Sequence, residues 1–335
     1  MNVLLRADAG ESQGTGHVMR CMTLAEALLA RGHAVTIMGA LGDVPWLTEL
    51  IKNSGIRHTV CKANELDVDG IAASGFDWVV VDSYLVPSER VSSLNRSTPC
   101  LAIVDGDIRG IRADLYLDQN LGASLDNGHE LDGRMLAGSS YALVRDAVLG
   151  NRRDSTAAQI VGRPRVVAFM GGTDPDGAIV EVAKSIAAQQ LDIELDLVTT
   201  SLWAGRAESA VAGLAHARLI EPTEDLPTIL GSADVIVSAA GTSAWDICTM
   251  ARPAVLIALV ANQQGSLAPI AQAGVALTID ATPGGAGGIS ETGQLVASLI
   301  NDSGLRQGLI QRCKATFDGL GKSRVVKTME RMVRA

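Results

Sequence analysis

The chain lacks long apolar runs, paired cysteines and any cluster of basic residues, and each absence removes a class of function. No apolar stretch approaches the ~18–20 uninterrupted residues that span a bilayer, so membrane insertion is not expected. The five cysteines, Cys21, Cys61, Cys100, Cys248 and Cys313, lie far apart, form no CxxC pair and are odd in number. No two histidines stand three or four residues apart, so neither a zinc ribbon nor an HExxH site is available, and no metal is expected. Separated thiols point to a reducing compartment, and the opening residues lack the charged-then-apolar layout of a signal peptide. A cytoplasmic protein is the expectation. Formal charge is −9 and no Lys/Arg-rich run appears, which argues against a nucleic-acid surface. Acidity leaves open a small phosphate-bearing ligand, because backbone N–H groups at a helix start bind anions without cations.

What remains is material for packed cores. The chain has 335 residues, 47% hydrophobic and 19% charged, enough for two α/β domains at roughly 150 residues each. In the first half "VLLRAD", "AVTIMGA", "RHTVC", "DWVVVDS", "CLAIVDG" and "LYLDQN" read as short buried strands bounded by Gly, Asp or Pro. Between them, "HVMRCMTLAEALLARG" carries Val18, Cys21, Met22, Ala25, Leu28 and Leu29 at helical spacing, with Gly32 as its C-cap. "PSERVSSLNR" reads as a further helix entered through Pro87. Polar, small and turn-forming residues over 151–164 read as a linker, after which the alternation restarts. The expectation is two Rossmann-like, doubly wound parallel-sheet domains, 1–150 and 165–335, facing across a cleft. Ligands in such sheets sit at the carboxyl ends of strands, so the strand-to-helix loops are where chemistry is sought.

Three loops qualify. In "RADAGESQGTGHVMR", Gly14 and Gly16 let the backbone approach a ligand, and His17 stands in the first helical turn. The helix end disfavours an imidazolium there, which suits a ring that accepts a proton. A glycine-rich turn and a first-turn histidine are equally at home in any doubly wound protein, so both readings stand. His33, His58, His129 and His216 have no comparable setting. In "FMGGTDPDG", Gly171, Gly172 and Thr173 expose backbone donors, while Asp174 is read as a cap for a helix begun by Pro175. In "SAAGTSAWD", Ala240, Gly241 and Thr242 form a turn suited to an anion, with Asp246 one helical turn inward to accept ribose hydroxyls. "ANQQ" adds the amides of Asn262 and Gln263 after the next strand.

At these residues the chain resembles a family. "RADAGESQGTGHVMRCMTLAEAL" is similar to the opening of the PseG/SpsG family of nucleotide-sugar enzymes, whose pattern runs RADxxxxxGxGHxMRCLxLA. The likeness continues through "VVVDSY", "LYLDQNLGAS", "YALVRDAV", "VVAFMGGTDPDG", "ADVIVSAAGTSAWDICTMARPAVLI" and "ANQQ". It implies a GT-B fold and, without metal or other cofactor, hydrolysis of UDP-2,4-diacetamido-2,4,6-trideoxy-β-L-altropyranose or a close relative to free sugar and UDP. That step belongs to pseudaminic-acid-type biosynthesis. His17 would be the base on water, Gly241 and Thr242 would stabilise the departing UDP, and Asp246 would hold the ribose. Tyr84, Asn262 and Gln263 would contact sugar and phosphate. The sequence departs from the family pattern at Asp246, where glutamate is usual, in the "AAGTS" turn and at Ala261. A GT-B glycosyltransferase and a non-catalytic nucleotide-sugar-binding protein are the competing readings.

Overall fold

A computed structural model describes residues 1–10, 13–42, 44–94, 96–124, 133–153 and 159–333. The chain divides into two compact units, residues 1–145 with 319–335, and residues 146–318.

In the first unit β1 (Asn2–Ala7), α1 (Gly16–Leu29), β2 (Ala34–Met38), α2 (Pro45–Asn53), β3 (Arg57–Thr59), α3 (Val68–Ala73), β4 (Trp78–Asp82), α4 (Ser88–Leu94), β5 (Cys100–Ile103), β6 (Leu115–Asp118) and β7 (Arg134–Ala137) follow one another. The strands form one sheet of order β3-β2-β1-β4-β5-β6-β7, and every pairing is parallel. Side chains of β1 alternate between two cores, as a period of two requires. Val3, Leu5 and Ala7 pack with Leu24, Leu28 and Leu47 on one face, whereas Leu4 packs with Val79, Val91 and Leu94 on the other. Helices cover both faces, which explains why the strands are continuous apolar runs. α1 ends at Leu29, and Gly32 lies two residues past its cap at φ 77°, where the His33 amide reaches back to the Leu28 carbonyl.

The second unit holds α5 (Asp146–Gly150), β8 (Arg165–Phe169), α6 (Ala178–Ala187), β9 (Glu194–Val198), α7 (Ser201–Ala210), β10 (Ala217–Ile220), α8 (Leu226–Gly231), β11 (Val235–Ala239), α9 (Ser243–Met250), β12 (Ala254–Ala258), α10 (Ala261–Ala273), β13 (Leu277–Asp280), α11 (Thr292–Asn301) and α12 (Ser303–Thr316). Its sheet, also parallel throughout, has the order β10-β9-β8-β11-β12-β13. In both sheets the strand order reverses beside the unit's first strand, between β1 and β4 and between β8 and β11. Loops leaving those strands flank the crevice where open α/β sheets bind ligands.

Two expectations need correction. The second domain does not run to residue 335, because α13 (Gly321–Val333) belongs to the first unit. Val325, Val326 and Met329 of α13 join the core of α1, and Lys322 is paired with Glu26 at 2.8 Å. The helix after Phe169 begins at Ala178 rather than Pro175, because residues 174–177 close a turn first (Gly177 N–H to Asp174 O, 3.2 Å). Residues 154–158 of the expected linker, and His129, lie outside the described residues. No helix among the described residues is long and apolar enough to cross a membrane.

Candidate active site

The first unit concentrates buried charge where β1, β4, β5 and β6 end. His17 is the second residue of α1, and its ring is mostly buried, with 13% of the side chain exposed. Nδ1 lies 2.6 Å from Oδ1 of Asp82, the last residue of β4. Arg20 Nη2 also lies 3.0 Å from Nδ1, but its two protons are directed to Asp82 and Asp105, so in the neutral ring the 2.6 Å contact assigns the proton to Nδ1 and leaves the lone pair on Nε2. Nε2 has no hydrogen-bond partner among the described residues. This is the geometry of a base oriented by an acid.

Arg20, one turn along α1 from His17, locks that acid in place. Its guanidinium donates to both oxygens of Asp82 (2.8 and 2.7 Å) and to both of Asp105 (2.7 and 3.1 Å), the second carboxylate standing just beyond β5. Burial works against the Arg20 charge, but Asp105 and Asp82 outweigh it and hold the guanidinium above its ordinary pKa. Burial likewise opposes the Asp105 charge, yet Arg20, with hydrogen bonds from Tyr84 and Asn120, keeps that carboxyl far below the usual carboxylate range. Tyr84 Oη donates to Asp105 Oδ2 (2.5 Å), and the tyrosine ring meets the His17 ring edge to face at a centroid separation of 4.9 Å. Burial and the negative Asp105 push the Tyr84 phenol up, so it remains a donor. Asn120, just beyond β6, links Asp105 through its Nδ2 to Asp118, the last residue of that strand (3.1 and 2.8 Å). One hydrogen-bonded chain thus runs from α1 across three neighbouring strand ends, those of β4, β5 and β6.

The sequence pattern singles out His17 and Tyr84 of this network and gives no role to Arg20, Asp82, Asp105 or Asn120. The signal was present: charges ending apolar strands in "VVVDS" and "CLAIVDG" must meet a partner once buried. Arg6 and Asp8 carried the same sign. Arg6 is fully buried on β1, with donors on Asp8 (2.6 Å) and on the carbonyls of Lys62, Ala63 and Glu65. Asp8 also accepts from the Ala40 amide (3.0 Å) and the Ser83 hydroxyl (3.2 Å), tying together the ends of β1, β2 and β4. Gly14, at φ 70°, exchanges both backbone hydrogen bonds with Gly10, so its own amide is already engaged. Gly16 opens α1, where the first amides have no intrahelical acceptor.

In the second unit Gly171, at φ 90°, starts the loop after β8 and is exposed, with Gly172 and Thr173 half-buried behind it. Asp174 caps α6: its carboxylate accepts the amides of Ala178 (2.9 Å) and Ile179 (3.1 Å). Burial raises its pKa against those two bonds. On the neighbouring strand, Ala240 uses its amide on the Ile257 carbonyl (2.7 Å), continuing the β11–β12 ladder, and so cannot serve as the expected donor. The turn's donors are therefore Gly241, Thr242 and Ser243 at the start of α9, where Thr242 makes no side-chain cap bond. Asp246 is half-buried in the first turn of α9. Asn262 and Gln263 both lie in the first turn of α10, the former exposed. Gln263 Oε1 accepts the Leu259 amide (2.8 Å), and a Cβ at Gly241 would come within 3.7 Å of Gln263 Nε2. That free amide nitrogen therefore stands beside the Gly241 turn. Gln264 is held instead by Asp280 and Thr282.

Two doubly wound parallel sheets, each with its loops gathered at a strand-order reversal, define a GT-B fold. Solved structures agree along almost the whole chain. MurG of Acinetobacter baumannii superposes with a TM-score of 0.70 at 14% identity, over 99% of this chain and all of that one. MnaA of S. aureus, in a co-structure with UDP, superposes with 0.68 at 12% identity, over 100% and 97%. No protein-family model matches the sequence. Within the fold class the chain is a homologue of the spore coat polysaccharide biosynthesis protein SpsG of Bacillus subtilis strain 168, at 22% identity over 98% of both chains.

Proposed function

We propose that the protein is a UDP-sugar hydrolase: water displaces UDP at the anomeric carbon of a diacetamido-trideoxy sugar, with His17 as general base. The observation that carries this reading is the 2.6 Å contact from His17 Nδ1 to Asp82, with Arg20 holding the far side of the carboxylate. A water oxygen bonds to the anomeric carbon, its proton passes to His17 Nε2, and the bond from that carbon to the diphosphate breaks with UDP keeping the electron pair. Backbone donors of Gly241, Thr242 and Ser243, with the Gln263 amide, stabilise the growing charge on UDP, while Asp246 accepts from the ribose. No step calls for a metal or another cofactor. The SpsG relationship supports polysaccharide biosynthesis as the setting, and UDP in the MnaA co-structure supports the nucleotide half.

The test is incubation of purified protein with UDP-sugars, measuring UDP release without any acceptor. Release is expected, and His17→Asn and His17→Ala are expected to slow it by about 10²–10⁴-fold while UDP affinity by calorimetry stays unchanged. Release that requires an added acceptor would assign glycosyl transfer instead. Activity retained in both variants would remove His17 from the mechanism.

A further inference from the structure

After β5 the chain makes a tight turn over Ile108–Ile111, closed by a hydrogen bond from the Ile111 amide to the Ile108 carbonyl (2.9 Å). Both central residues have positive φ, Arg109 at 54° and Gly110 at 68°, the pattern of a type I′ turn. Its first central position favours Asn, Asp or Gly. Arginine there is a poor local choice, because a Cβ with a long side chain is disfavoured in the left-handed region. A strained residue persists where the surrounding structure over-determines it, and such positions cluster at functional sites.

What the arginine does is visible in its contacts. The guanidinium carbon stands 5.0 Å from the centroid of the Tyr84 ring, within cation–π range. Nη2 donates to the Ser83 carbonyl next door (3.0 Å), while Nε is buried with no partner among the described residues. No carboxylate among the described residues pairs with this guanidinium, and its contacts there are the Tyr84 ring face and the Ser83 carbonyl. Among the described residues the Tyr84 side chain makes one hydrogen bond, at its tip to Asp105, and its residue is 43% exposed. A ring tethered at one end and open to solvent needs a second restraint to stay against His17.

We propose that Arg109 is a positioning residue of this site: its cation pins the Tyr84 ring face, and the ring edge-to-face contact in turn fixes the His17 imidazole. Its link to catalysis rests on the reading of His17 as the base, whereas the geometric part does not. The charge over the ring does the work, not the turn, so the conservative variant separates the two. Arg109→Lys keeps a cation, Arg109→Met keeps bulk without charge, and Arg109→Asn installs the residue the turn favours.

The experiment pairs NMR of the His17 ring protons, assigned with His17→Asn, with kinetics of UDP release. In the wild type these protons carry the ring-current shift of Tyr84, calibrated with Tyr84→Leu. Arg109→Met and Arg109→Asn are expected to move the His17 resonances toward those of Tyr84→Leu, with Arg109→Lys largely restoring them. The melting temperature of Arg109→Asn is expected to stay within a few degrees of wild type, so that loss of fold is not the cause. kcat is expected to fall about two- to fivefold in Met and Asn, the size of a cation–π contact at an exposed site, with KM within twofold and partial rescue by Lys. His17 resonances left in place in both Met and Asn variants would overturn the proposal, whatever the activity. Resonances that move while kcat is unchanged would support the positioning and count against His17 as the base.

Discussion

Asp82 touches two side chains at once, and that double contact makes the strongest residue-level prediction. One oxygen takes the His17 ring proton while both oxygens receive Arg20. In Asp82→Asn the amide offers an N–H to the ring, so His17 shifts to the tautomer with its proton on Nε2, which cannot accept another. UDP release is expected to fall about 10²–10⁴-fold with UDP affinity unchanged, because the proposed nucleotide contacts are residues of the second unit. A kcat within threefold of wild type would separate Asp82 from the chemistry. Most of this was only half legible. "GTGH" and "VVVDSY" stand out in the sequence, but the pairing of positions 17 and 82 arises only because β1 and β4 lie side by side. A linear pattern shows that a buried carboxylate needs a donor; it does not show which one.

At the scale of elements, the loop after β8 illustrates how a turn is built from several weak preferences. Asp174 sits at φ 42°, Gly177 at φ 68°, and the Trp203 indole closes the loop by donating to the Asp174 carbonyl (2.8 Å). A Cβ at Gly177 would lie 2.6 Å from the Trp203 ring. Gly177→Ala thus combines a left-handed backbone penalty with a clash against an indole that is itself hydrogen-bonded. Its expected destabilisation is about 1–3 kcal/mol, read as a lowered urea midpoint, and an unchanged midpoint would show that the indole moves freely. Strand-to-helix alternation was readable because Val- and Ile-rich runs with turn residues at their ends admit few alternatives. β7, "RMLA", was not: it has four residues and no β-branched side chain, and it is a strand because β6 offers it an edge.

For the whole molecule, the return of α13 to the first unit is the decisive long-range event. Gly321 allows the close approach, since a Cβ there would stand 2.2 Å from the Ala142 carbonyl oxygen. Near the other end Glu330 is bound by Arg31 (2.6 Å) and His33 (2.9 Å). Hydrogen bonds from Arg31 and His33 lower the Glu330 carboxyl from 4.5 to about 2. Because the folded value lies below the unfolded one, this contribution is complete above pH 4.5 and disappears as the pH falls to about 2. Glu330→Gln is expected to melt earlier than wild type at pH 6 and to converge with it at pH 2. Parallel melting curves across that interval would show that the clasp adds nothing.

Two readings came from the sequence alone: two doubly wound parallel domains and a histidine at the mouth of the first helix. Local propensity and periodicity act over a few residues, and those features are local. Tertiary structure alone decided that Asp82, Arg20, Asp105 and Tyr84 converge on that histidine, that Arg109 accepts a strained turn beside them, and that the last helix joins the first unit. Each of these joins residues distant in the chain through buried charge or close packing, interactions that exist only after the strands are in register.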